Sequence, residues 1–102
     1  MTGYIVGKVA EFEPGAKLVV SAGGRPVAVF RVGDDFYAIN NVCPHKGASL
    51  CDGALDAERR IIHCPWHQWG WHLDTGTLDA HPADAIRRYA VKVEAGDVVV
   101  YV

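Results

Sequence analysis

Cys43-Pro44-His45 and, after an 18-residue gap, Cys64-Pro65-Trp66-His67 each set one thiolate and one imidazole beside a proline. In an extended or tightly turned loop residues i and i+2 can face the same way, so Cys43 and His45 can reach one inorganic centre from a single loop. Cys64 and His67, three apart, can do the same from one turn. Two sulfurs and two nitrogens suit either one tetrahedral zinc or a two-iron cluster, and the spacing alone leaves both open. The prolines bear on the choice. Pro44 and Pro65 fix φ and remove one N–H donor, so the amides of the following residues are left free to point inward. Bridging sulfides and thiolates carry excess negative charge and need such donors. The doubled Cys-Pro fits a cluster cradle better than a zinc finger.

In order and spacing these four residues resemble the Rieske-type iron-sulfur proteins, whose pattern is Cys-X-His, a gap of similar length, then Cys-X-X-His. The resemblance continues through Ala48-Ser49-Leu50, Asp52-Gly53, the Asp74-Thr75-Gly76 turn and Pro82, and covers nearly the whole chain. It implies one [2Fe-2S] cluster, with Cys43 and Cys64 on one iron and His45 and His67 on the other. Two neutral imidazoles in place of two thiolates ease the addition of an electron. The family window is accordingly roughly −150 to +300 mV, against about −400 mV for plant-type ferredoxins. High-potential members carry an extra disulfide between the ligand loops and hydroxyls bonded to the cluster sulfurs. The matching positions here are Ala48 and Trp66 for the disulfide and Trp69 and Trp71 for the hydroxyls. The resemblance therefore implies a low-potential centre. One departure stands out: many relatives read His-Gly-Trp after the second ligand pair, whereas this chain reads His67-Gln68-Trp69-Gly70-Trp71, and a change of loop shape is expected there.

At 102 residues the chain is expected to be one small domain, residues 1–102, that leans on its metal centre for stability. Half of the residues are apolar and the net charge is −2, which gives neither a disorder signature nor a basic footprint for nucleic acid. The acidity is local. Residues 41–80 hold three basic and five acidic side chains, while both flanks balance to zero. No stretch resembles a signal peptide or a membrane span, so a soluble, cytoplasmic protein with no membrane partner is expected. Three cysteines cannot all pair, and with two taken as ligands Cys51 is expected to be a free thiol.

Short antiparallel strands are expected at 4–11, 17–21, 26–32 and 35–40, forming a meander, then at 60–63 and 69–73 around the second loop, and at 86–93 and 97–102. The fold class is all-β, a Rieske-like domain of small antiparallel sheets, with a cluster-binding subdomain at about 41–72. Electron exit calls for a surface edge, and His45 and His67 are the candidates. Trp69 and Trp71 fall on one face of a strand, where core packing is the favoured role, while Trp66 is the better surface contact. His63 is read as structural or exposed. His72, Asp74 and His81 as a two-His-one-carboxylate iron site are disfavoured.

The resemblance implies a one-electron carrier rather than an enzyme, passing electrons from a flavin-dependent reductase to a terminal oxygenase such as a ring-hydroxylating dioxygenase. The alternative within this class is the small subunit of an NADH-dependent nitrite reductase. A different class is a non-redox structural module, with Cys43, Cys51, Cys64 and His67 around one zinc.

Overall fold

Val27-Ala28-Val29-Phe30 carries no polar side chain at any position, the pattern of a strand covered on both faces. In the computed structural model, which describes residues 1–44, 47–66 and 68–102, all four are fully buried. They lie in β3 (Arg25–Val32). Ala28, Phe30 and Val32 enter one apolar cluster and Val27 and Val29 another, as the two-residue alternation of a strand requires. His45, Lys46 and His67 lie outside the described residues.

The expected all-β architecture is what the chain adopts. Before β3 come β1 (Gly3–Lys8) and β2 (Lys17–Ala22), and after it β4 (Asp35–Asn40). The middle of the chain holds β5 (Ala54–Asp56), β6 (Ile61–His63), β7 (Gly70–His72), β8 (Thr77–Leu78) and β9 (His81–Ala85). The chain closes with β10 (Arg88–Glu94) and β11 (Asp97–Tyr101). One sheet runs β1-β11-β10-β4-β3-β2 and the other β5-β6-β7-β8-β9.

The expected four-strand meander is corrected at its first member. β2, β3 and β4 do form a meander, but β1 pairs with β11, at the far edge of the sheet. The chain leaves β1 in a 3-10 turn at Val9–Glu11. The two chain ends are tied by Thr2 N–H to the Val102 carbonyl and by the reverse bond, at 2.9 and 3.1 Å. Side chains from both edges, Tyr4 and Val6 of β1 and Val20 and Ala22 of β2, enter the same cluster as Val27, Val29, Val98 and Val100. The sheet therefore curls on itself towards a barrel. Phe12 meets Phe36 edge-on there, at 5.5 Å between ring centroids.

The other cluster joins the two sheets. Phe30 and Ile39 from the large sheet pack with Ile62, Trp71 and Leu78 from the small one, together with Cys43, Cys64 and Leu50. Burying each of the larger of these side chains is worth about 1.5–3 kcal/mol. Polar links reinforce the junction. Arg60 donates to Asp35 at 2.8 Å and to the Tyr37 hydroxyl, and its guanidinium lies over the Tyr37 ring. The Lys17 ammonium donates to the Gly53 carbonyl.

Candidate metal centre

Both cysteines of the paired motif open a loop of the same backbone design. In the first, the Cys43 N–H donates to the Ala48 carbonyl at 2.9 Å, and the Cys43 carbonyl accepts from Gly47 N–H at 2.8 Å. In the second, the Cys64 N–H donates to the Trp69 carbonyl at 2.8 Å, and the Cys64 carbonyl accepts from Gln68 N–H at 2.9 Å. The partners stand five and four residues on in each case. The residue four on is left-handed in both, Gly47 at φ +68° and Gln68 at φ +59°. The sequence departure at 67–71 thus leaves the bonding frame of the first loop intact in the second. A residue with a side chain holds the position that glycine holds in the first.

The strands bring the loops together. The first leaves β4 through Asn41 and Val42 and is closed by a bridge between Val42 and Ser49. Asn41 is buried, and every polar group on it is used. Its N–H donates to the Pro26 carbonyl at 2.9 Å, its carbonyl accepts from Leu50 N–H at 2.8 Å, its Oδ1 accepts from Cys51 N–H at 2.9 Å, and its Nδ2 donates to Ser49 Oγ at 2.9 Å. Buried and satisfied, such a hub clamps the return of the loop to the large sheet. A 3-10 turn at Leu50–Asp52 then ends at Gly53, where a Cβ would lie 1.8 Å from the His63 carbonyl oxygen. Beyond it Ala54 pairs with His63. The end of the first loop is therefore pressed onto the residue that precedes Cys64.

Cys43 and Cys64 are 1% and 2% exposed and share one apolar cluster with Ala48, Leu50, Ile62 and Trp71, yet no disulfide joins them. Two buried, unbridged thiols at matching places on two loops are a donor set suited to an iron-sulfur group. Their expected imidazole partners, His45 and His67, lie outside the described residues.

Cys51 is half-buried at the edge of the same cluster. Burial pushes its thiol pKa up, against the opposing pull of Lys17. Among the described residues no three His, Cys, Asp or Glu side chains gather closely enough to hold a metal ion. Cys51 thus does not converge with Cys43 and Cys64, and the Cys3His zinc arrangement lacks its third thiolate. His72, Asp74 and His81 do not converge either. His72 Nε2 instead meets Asp79 at 2.9 Å, a bond that holds the Asp79 carboxyl below its ordinary pKa, and His81 faces Asp84 at 3.5 Å. A groove of ≈ 270 Å³ along β4 and β10, with Tyr37, Leu73, Arg88 and Tyr89 in its walls, carries no cysteine or histidine.

The tryptophans divide. Trp71 is fully buried in the core that joins the sheets, whereas Trp69 is 40% and Trp66 68% exposed. Val42 is exposed as well, so apolar side chains from both loops face solvent. Three residues of the site were not singled out for it by their type: Asn41, Gln68, and His63, whose Nδ1 lies 3.0 Å from the Gln68 carbonyl oxygen. Asn41 sits two residues before Cys43, and an Asn directly after a strand is its only sequence signal.

The family model of the Rieske [2Fe-2S] domain matches residues 2–95. Ferredoxin CarAc of Metapseudomonas resinovorans is 37% identical over 93 residues, which cover 89% of this chain and 85% of that one. Among solved structures, the ferredoxin of carbazole 1,9a-dioxygenase from Nocardioides aromaticivorans IC177 superposes with a TM-score of 0.91 at 34% identity, covering 98% of this chain and 97% of that one. A ferredoxin chain from a complex of reduced oxygenase and oxidized ferredoxin in carbazole 1,9a-dioxygenase gives a TM-score of 0.87 at 35% identity, covering 96% of this chain and 91% of that one. No helix among the described residues is long and apolar enough to cross a membrane.

Proposed function

Because the chain belongs to the Rieske [2Fe-2S] domain family, we propose that it carries single electrons on one [2Fe-2S] cluster, held by Cys43 and Cys64 on one iron and by His45 and His67 on the other. The observation that carries this reading is the pair of buried, unbridged thiols on two loops with one hydrogen-bond frame. The cluster, when bound, takes up and gives back one electron. The chain's own part is to exclude water with Leu50, Ile62 and Trp71, to fix the two cysteines, and to present apolar surface beside them. Residues 1–102 act as one unit, with the ligand loops inside 41–72.

The chain is an electron-transfer component of an oxidoreductase system and not itself the catalyst. Its relatives include ferredoxin subunits of dioxygenases, and one superposed ferredoxin was solved in complex with its oxygenase. We assign to this chain a flavin-dependent reductase as donor and a terminal oxygenase, such as a ring-hydroxylating dioxygenase, as acceptor, in the cytoplasm, where thiols stay reduced. Trp66 is the residue best placed to meet a partner, being a large ring left in water on a ligand loop.

Reconstitution tests the assignment. With the reductase and oxygenase encoded beside it, the purified protein is expected to sustain product formation. Trp66→Ala is expected to raise the KM for the carrier about tenfold at unchanged midpoint potential. Transfer to a nitrite reductase in place of the oxygenase would overturn the acceptor. An unchanged KM would remove Trp66 from the interface.

A further inference from the structure

We infer that His63 is a positioning residue for the second ligand loop, its Nδ1–H holding Gln68 in the left-handed conformation that glycine supplies in the first. The inference rests on the reading that Cys64 and His67 are cluster ligands, and it adds a role for residues outside that set.

The two loops share one frame but not one sequence. At the fourth residue after the cysteine the first loop has Gly47 at φ +68°, where the absence of Cβ removes the steric penalty. The second has Gln68 at φ +59°, and a Cβ disfavours that region by about tenfold. Something must offset it. The Gln68 carbonyl can only accept a hydrogen bond, so the ring nitrogen 3.0 Å away must carry the hydrogen, which fixes His63 with a proton on Nδ1. At the matching position of the first loop, directly before Cys43, stands Val42, whose side chain has no N–H to give.

Gly70 completes the device. It stands opposite His63 in the β6–β7 ladder. A Cβ there would lie 2.6 Å from Ile61 Cγ2 and 3.2 and 3.3 Å from Cε1 and Nδ1 of the His63 ring. Glycine at 70 is what lets the imidazole lie across the strand and reach back to residue 68. The glycine is thus displaced by two positions, from the loop itself to the seat of the side chain that braces the loop. Gln68 also donates to the Cys64 carbonyl and follows His67 in the chain, so the brace acts on the segment between the two proposed ligands.

A mutant cycle tests this with two readouts on the intact protein, the rate at which visible cluster absorption bleaches under an iron chelator and the midpoint potential. His63→Ala is expected to bleach about tenfold faster and to shift the midpoint. His63→Asn, whose amide N–H can take the place of Nδ1–H, should recover to within about threefold of wild type. Gln68→Gly should bleach no faster than wild type. In that background His63→Ala should change the rate by less than about twofold, because the glycine no longer needs the brace. Should His63→Ala fail to assemble, the double variant still decides: colour in it supports the brace, and its absence overturns it. Equal acceleration by His63→Ala in both backgrounds overturns the role of His63 and leaves the ligand assignment standing. A colourless wild type overturns both.

Discussion

Gly53→Ala is expected to lower the midpoint of thermal unfolding by more than about 12 °C, from a loss of at least about 3 kcal/mol. A Cβ at this position would overlap the His63 carbonyl oxygen at 1.8 Å and would sit 3.2 Å from the Leu50 carbonyl oxygen, and both obstacles are backbone. Neither can step aside cheaply. Gly53 N–H is bonded to the Leu50 carbonyl at 3.0 Å, and Ala54 is in register with His63 in the small sheet. Relief would have to separate β5 from β6, and with them the return of the first ligand loop from the start of the second. Cluster occupancy should therefore fall together with stability. Gly24 is the control, because nothing lies within 4 Å of a Cβ built there. Its φ of +78° makes alanine cost about 1–2 kcal/mol, without touching the site. A Gly53→Ala protein that melts within about 4 °C of wild type would contradict this account of how the loops are joined.

Cys64→Ser and Cys43→Ser are each expected to abolish cluster binding, whereas Cys51→Ser should keep full occupancy. The contrast follows from placement. Cys43 and Cys64 sit at equivalent points of two matching loops and are sealed from water. Cys51 lies to the side, its N–H held by Asn41 and its thiol at the rim of the core. Loss of the cluster also removes a ligand that binds only the folded chain, so both ligand variants should melt at a lower temperature than wild type. The Cys51 thiol adds a check in pH. Burial raises its pKa above the ordinary thiol value, so the thiolate is scarcer than at an exposed cysteine. The neutral thiol stabilises the fold below the ordinary thiol pKa, and that contribution fades as pH rises through the higher folded value. Alkylation of Cys51 in the loaded protein should be slow at neutral pH and quicken only in alkali. Rapid labelling at neutral pH, or loss of colour in Cys51→Ser, would contradict this placement.

The parts of the fold that were legible were those with enough residues to show a pattern. β3 declared itself by four successive apolar residues, because it is covered on both sides. β2, β4, β10 and β11 showed as Val, Ile, Phe and Tyr runs between turn residues. β5, β8 and β9 did not, being two to five residues long, too short for an alternation to show, with a proline in β9. Such strands are held by their neighbours rather than by their own composition. β1 was visible as a strand, but its partner was not. Pairing with β11 is a contact between chain ends, which no local signal encodes.

At the site the same division holds. Cys43 and Cys64 could be read because metal chemistry needs their residue types at that spacing. Asn41 acts through hydrogen bonds to the Ser49 hydroxyl and to the backbone N–H of Cys51, eight and ten residues away, and His63 through one to a backbone carbonyl five residues away, and any polar residue at those positions looks much the same in sequence. The irregularity at Gln68-Trp69-Gly70 was readable as a departure. What it meant was not, since the loop keeps its frame and the compensation lies across a strand, at His63.

The proposed electron-carrier role requires two irons and two sulfides held by the two loops. Iron, zinc and acid-labile sulfide counted per chain on freshly purified, unreconstituted protein, alongside its visible spectrum, test that most directly. The account predicts about two irons and two sulfides per chain, a red-brown protein, and a midpoint below about 0 mV, in the lower part of the family window. A colourless protein with one zinc and no sulfide would contradict it.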